Sequence, residues 1–126
     1  MEKESIVGKY LAEVIGKFNT GQAGEHAYRP VFETLIKSLL PKIIVVNDPK
    51  RSEHGAPDFI LMRSKELSAG YIETKDLNVK LDEAEKKEQM ERYLGYGSLI
   101  LTNYLEFRFY RNGEKYCEPI VIARVE

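Results

Sequence analysis

A chain of 126 residues that is 43% hydrophobic has material for one domain with a modest core, and is too apolar for disorder. Its net charge of −1 argues against a large independent nucleic-acid-binding surface, which is ordinarily basic. The single cysteine, Cys117, excludes an internal disulfide or a cysteine zinc cluster, and the apolar runs are too short for a membrane span or signal peptide.

Cys117 itself is expected to be a small buried or half-buried side chain, and the protein is expected to be cytoplasmic, with no membrane partner. Residues 5–19 carry Ile6, Val7, Tyr10, Leu11, Val14, Ile15 and Phe18 at helical spacing, and Asn19-Thr20-Gly21 stops the stripe. This predicts a packing helix. A second helix is predicted over 25–40, with Val31, Leu35, Ile36 and Leu39 inward. Pro30 would remove a hydrogen bond past the first turn, so the regular part is expected to begin near Arg29, and Pro41 marks its end. His26, at the helix start, reads as a capping or surface residue before it reads as a base. Ile43 to Val46 is apolar and β-rich, which predicts a buried strand. The polar stretch from Asn47 to Gly55 carries Lys50, Arg51 and His54. Lys50 and Arg51 are candidate phosphate contacts, and an ordinary solvated loop is the alternative.

The chemistry concentrates in the next stretch. Asp58 stands at the mouth of the apolar run Phe59 to Met62, which predicts a strand covered on both faces. In Gly70-Tyr-Ile-Glu-Thr-Lys-Asp76, the strand period puts Tyr71, Glu73 and Lys75 on one face, with Ile72 and Thr74 on the other. If the two strands pair, Asp58 approaches Glu73 and Lys75, and two carboxylates and an ammonium meet at the edge of a core. Such burial is costly without a purpose. A divalent cation would resolve it, because Mg²⁺ accepts one or two carboxylates and completes its shell with water and substrate phosphate.

Asp82 to Tyr96 is predicted to be one helix with acid-first pairs Asp82–Lys86, Glu83–Lys87 and Glu88–Arg92, ended by Gly95 and Gly97. Gln89 and Tyr93 fall on one face of it. Strands are then predicted at Leu99–Thr102, Leu105–Tyr110 and Ile120–Val125. Asn112-Gly113 reads as a turn with no strand directly after it. Phe107 and Phe109 face one way, Arg108 and Tyr110 the other, and both faces read as structural. The order predicts an α/β fold, a three-layer α/β/α sandwich around a central mixed sheet. It forms a single domain over 1–126, a leading helix at 1–20 and a core at 21–126. A chain ending straight after a strand fits a segment of a longer polypeptide.

Pro57-Asp58 followed by Glu73-Thr74-Lys75 resembles the PD-(D/E)XK nuclease pattern, and Gln89-Met-Glu-Arg-Tyr93 resembles the Gln-x-x-x-Tyr motif of its Mrr-like and RecB-like branches. Further pieces are Gly24-Glu-His-Ala-Tyr-Arg-Pro30, Asn47-Asp-Pro-Lys-Arg51, Gly55-Ala-Pro-Asp-Phe-Ile60 and Asn103-Tyr-Leu-Glu-Phe-Arg-Phe-Tyr-Arg111. Together they are similar to the N-terminal nuclease domain of Type ISP single-polypeptide translocating restriction–modification enzymes.

The resemblance implies a restriction-endonuclease-like fold and Mg²⁺-dependent cleavage of double-stranded DNA, with Mn²⁺ able to substitute. Asp58, Glu73 and the backbone carbonyl of Thr74 would bind the metal. Lys75 would orient or help deprotonate the attacking water, while Gln89 and Tyr93 would point toward the site as accessory residues. A helix-borne acid is also implied; Glu25 and Glu33 both qualify, the motif favouring Glu25 and the regular helix Glu33. ATP and S-adenosylmethionine would belong to translocase and methyltransferase domains of a longer parent, because no phosphate-binding loop or methyltransferase motif lies in this sequence. Two alternatives stay open: a non-catalytic DNA-contact or docking module with the same fold, and a stand-alone resolvase or repair nuclease, which the near-neutral charge disfavours.

Overall fold

The computed structural model describes residues 3–125, except for the side chains of Lys3, Glu4, Glu25 and Glu88. Helix α1 spans Lys3–Asn19 and ends where Gly21 adopts φ +70°, its N–H bonding back to the Phe18 carbonyl at 3.1 Å. A 3-10 turn at Glu25–Tyr28 leads into α2, Arg29–Leu39, with Pro30 in the first turn, where its missing donor costs no helical hydrogen bond. The regular helix thus begins at Arg29, as expected.

Seven strands form one sheet: β1 (Ile44–Asn47), β2 (Phe59–Ser64), β3 (Leu67–Thr74), β4 (Ser98–Thr102), β5 (Glu106–Arg111), β6 (Glu114–Lys115) and β7 (Ile120–Val121). Their order is β1-β2-β3-β4-β5-β6, with β7 also on β5. The β3–β4 pair is parallel and every other pair antiparallel, so the protein is mixed α/β with a mostly antiparallel sheet. The parallel pair needs a crossover, and α3 (Leu81–Ala84) and α4 (Glu88–Tyr93) supply it.

Alternation along the strands separates two cores. Ile72 and Ile100 face a cluster built on Tyr10 and Val14 of α1, Val31, Phe32, Leu35 and Ile36 of α2, and Phe59 and Leu61 of β2. Phe32 sits centrally in it, in edge contact with Phe59 at 5.6 Å and Tyr104 at 5.7 Å. Tyr71, Leu99 and Leu101 face the opposite cluster, with Leu81, Ala84, Met90, Tyr93 and Tyr96.

Several elements depart from the sequence reading, each for a physical reason. The predicted helix 82–96 is broken, with Lys87 extended (ψ 147°) as the cap of α4. Leu81 and Met90 are nine residues apart, as are Ala84 and Tyr93; at about 100° per residue a continuous helix would carry each pair to opposite faces. The break lets all four face the sheet. Asp82 and Glu85 then pair with buried Arg108 at 2.9 and 2.8 Å instead of forming the predicted Asp82–Lys86 ladder.

Strand β1 is an exposed edge, not buried, with Ile44 and Val46 outward and Val45 inward. For the same reason β2 is well covered on one face only: α3 and α4 lie over β3 to β5, and Ile60 and Met62 are left half-exposed. In α1, Ile15 and Phe18 lie outside the packed stripe, and Cys117 is exposed. The final strand is two residues instead of six, because β6 and β7 share the outer edge of β5. Asn112 and Gly113, both at positive φ, make a two-residue hairpin straight into β6, so a strand does follow that turn. Among the described residues, no helix is long and apolar enough to cross a membrane.

Candidate active site

Asp58, Glu73, Thr74 and Lys75 are brought together by the antiparallel register of β2 and β3. Phe59 pairs with Ile72, so one step further along the hairpin Asp58 stands opposite Glu73. Both lie where β3 ends and the chain leaves for the crossover helices. Main-chain pairing holds this end closed, with Lys75 N–H donating to the Thr102 carbonyl at 2.8 Å.

The Asp58 carboxylate is fully engaged. Its Oδ2 accepts the Thr74 backbone N–H at 2.8 Å and the Thr74 hydroxyl at 2.6 Å, while Oδ1 forms an ion pair with Arg29 Nη2. Glu73 differs. Its side chain is only 7% exposed; Oε2 accepts from Lys75 Nζ at 3.3 Å, and Oε1 is buried with no hydrogen-bond partner. Burial, and then the negative charge of Asp58, push the Glu73 carboxyl up to about 8, against the opposing pull of Lys75. Glu73 thus faces a second carboxylate with one of its own oxygens unpaired.

Gln89 and Tyr93 come to the same place on α4, as their spacing predicts: Gln89 Nε2 donates to the Tyr93 hydroxyl at 2.7 Å. That hydroxyl donates to the Ala56 carbonyl at 3.3 Å, tying α4 to the loop before Asp58. Burial and the nearby Glu73 and Asp58 charges push the Tyr93 phenol up to about 12. Gly55 completes the junction. Its φ is +104°, and a Cβ there would lie 2.8 Å from the Tyr93 ring, so the position excludes larger residues twice over. Glu73, Lys75, Gln89 and Tyr93 line a cavity of about 10 Å³, room for roughly one water. A larger cavity, about 610 Å³, lies between residues 77–82 and the C-terminal segment and is not lined by Asp58, Glu73 or Lys75.

The remaining predicted residues are placed as follows. The Glu25 side chain lies outside the described residues. Glu33 pairs with Lys37 at 3.1 Å on α2, and His26 is exposed. Lys50 and Arg51 are exposed on the loop after β1, without an ion-pair partner among the described residues. Arg29 is the residue that sequence reasoning missed. Its signal was present, a cation at the helix start inside the Gly24–Pro30 piece, but nothing local assigns it to an acid 29 residues away.

Among the described residues, no group of three or more His, Cys, Asp or Glu side chains gathers to hold a metal. Two carboxylates and a nearby backbone carbonyl make an oxygen donor set suited to a hard cation that keeps much of its water, and unsuited to structural zinc. No family model matches the chain, and no curated protein matches it. Among solved structures it is similar to a chain of the DrdV–DNA complex determined by cryo-EM, with TM-score 0.78 and 19% sequence identity. The match covers 94% of this chain and 12% of that one. The likeness is one of fold, and the mixed α/β architecture with its seven-stranded sheet is compatible with a restriction-endonuclease-like fold.

Proposed function

We propose that this chain is a Mg²⁺-dependent DNA endonuclease domain of the PD-(D/E)XK class, arranged as a three-layer α/β/α sandwich. The observation that carries the proposal is the apposition of Asp58 and Glu73, with an unpartnered Glu73 oxygen and the Lys75 ammonium 3.3 Å from its other oxygen. In the DrdV structure the similar fold is part of a complex with DNA, which supports DNA as the partner.

Asp58, Glu73 and the Thr74 carbonyl would hold the cation; Mn²⁺ has the same oxygen preference and is expected to substitute. When bound, such an ion stabilises charge developing on a phosphate and makes bound water easier to deprotonate. The chain's own residues supply the rest. Thr74 fixes the Asp58 carboxylate with two donors, so this ligand is oriented before any substrate arrives. Lys75, tethered to Glu73, can turn its ammonium to the attacking water and to the non-bridging phosphate oxygens. The in-line displacement would leave a 5′-phosphate and a 3′-hydroxyl. Gln89 and Tyr93 brace the wall of the site, and Lys50 and Arg51 can meet the phosphodiester backbone. The near-neutral charge suits a cutting module delivered to DNA by other domains, as in a translocating restriction–modification enzyme of the cytoplasm, whose ATP and S-adenosylmethionine sites would lie in those domains.

The test is conversion of supercoiled plasmid to open-circular or linear DNA at low ionic strength, with and without Mg²⁺. Cleavage should require the cation and fall by at least about a hundredfold in Asp58→Asn and Lys75→Ala, the scale of losing a positioned catalytic group. Equal cutting by the variants, or cutting in EDTA, would count against the assignment.

A further inference from the structure

Arg29 is bound to the residue that the proposed function gives to a metal ion. Both Asp58 oxygens are already engaged: Thr74 takes Oδ2 with both its donors, and Arg29 takes Oδ1. The Thr74 backbone contact is held by the strand, and the residue is fully buried. The Arg29 contact can yield. Only Nη2 meets Asp58, where a guanidinium commonly offers a carboxylate two parallel donors. Nη1 reaches Asn47 Oδ1 at a long 3.5 Å, and Nε is buried without a partner. The side chain springs from the first residue of α2, with Asn47 as a second acceptor and the Tyr104 hydroxyl as a further hydrogen-bond neighbour.

Two cations already stand beside the two carboxylates, Lys75 on Glu73 and Arg29 on Asp58, and Arg29 is the one seated on the Asp58 carboxylate.

We infer that Arg29 is an internal countercation that competes with the divalent metal for the Asp58 carboxylate and must let go of Oδ1 when the metal binds. The inference rests on the metal reading above, and its test separates the two. Mn²⁺ binding to the whole chain without DNA is measured by electron paramagnetic resonance of the free ion. Arg29→Gln should bind Mn²⁺ about tenfold more tightly than the unmutated chain, and Arg29→Lys, which keeps the charge, within about threefold of it. A purely structural Arg29 would give unchanged or weaker binding in Arg29→Gln, and that result overturns the inference. Asp58→Asn should abolish binding with either residue at position 29. If no variant and not the unmutated chain binds Mn²⁺, the metal reading fails and takes this inference with it. If the unmutated chain binds and Arg29→Gln gains nothing, only the inference fails. A folding defect in Arg29→Gln is bypassed by nuclear magnetic resonance on the unmutated chain. There the Arg29 Nε–H signal should shift on saturation with Mg²⁺, and a fixed signal would overturn the competition.

Discussion

Asp58 is held by three donors from two different elements, and this changes what its removal does. Alanine at position 58 would strand Arg29 in a site where its side chain is 13% exposed and leave both Thr74 donors unmet. Asp58→Ala should therefore cost about 3 kcal/mol, the low end for a buried ion pair stripped of one partner. Asp58→Asn keeps acceptors for Thr74 and should cost less than half as much. Urea unfolding midpoints compared at constant slope measure both. Glu73 makes a prediction of opposite sign to the usual carboxylate. Its folded-state value is raised from 4.5 to about 8, so between those two pH values the folded state holds a proton that the unfolded state has lost. Without metal, stability should be highest below about pH 4.5 as far as this group is concerned. It should fall as pH rises to about 8, and then level off. Glu73→Gln should flatten that descent, which melting temperatures across pH 5 to 9 will report; a parallel descent in the variant would mean Glu73 is not its source.

At the level of elements, the break between α3 and α4 is what lets the crossover cover the sheet. The charges at spacing four between 82 and 92 are consistent with a continuous helix, whereas the apolar residues are not. Leu81 and Ala84 are half a turn out of phase with Met90 and Tyr93, so the break was written in the sequence but masked by the louder charge pattern. The cap geometry gives a sharp test. Lys87 has φ −76° and ψ 147°, the conformation a residue before proline prefers, and Glu88 is the first residue of α4. Glu88→Pro should then change stability by no more than about 0.5 kcal/mol, whereas in a continuous helix it would cost about 3 kcal/mol. In the hairpin of β2 and β3 the period of two in β3 set which residues share a face, while the apolar run of β2 read as covered on both sides although one side is only half-covered. The exposure of β1 was not legible. Ile43 to Val46 reads as buried by composition, and only the sheet order reveals that no strand or helix covers its outer side.

For the molecule as a whole, the sheet places two adjoining strand ends between two cores, and the acids, the lysine and the threonine gather there because register leaves them no other place. For Glu73 and Lys75 alternation alone gave the shared face, whereas Thr74, on the other face by that count, joins through its backbone N–H and hydroxyl on Asp58. The Arg29 contact did not follow from alternation, because it depends on how α2 docks on the sheet, which local sequence does not encode. The 610 Å³ cavity lies elsewhere, so the proposed chemistry rests on side-chain apposition and not on pocket size. The most direct measurement is Mg²⁺-dependent nicking of supercoiled plasmid by the unmutated chain beside Lys75→Ala, with Mn²⁺ affinity recorded for both. The account predicts that Lys75→Ala retains the ion yet loses cutting by at least about a hundredfold, because Lys75 acts on water and phosphate while the carboxylates hold the cation. Undiminished cutting by Lys75→Ala, or no cutting by a chain that binds the ion and the DNA, would contradict it.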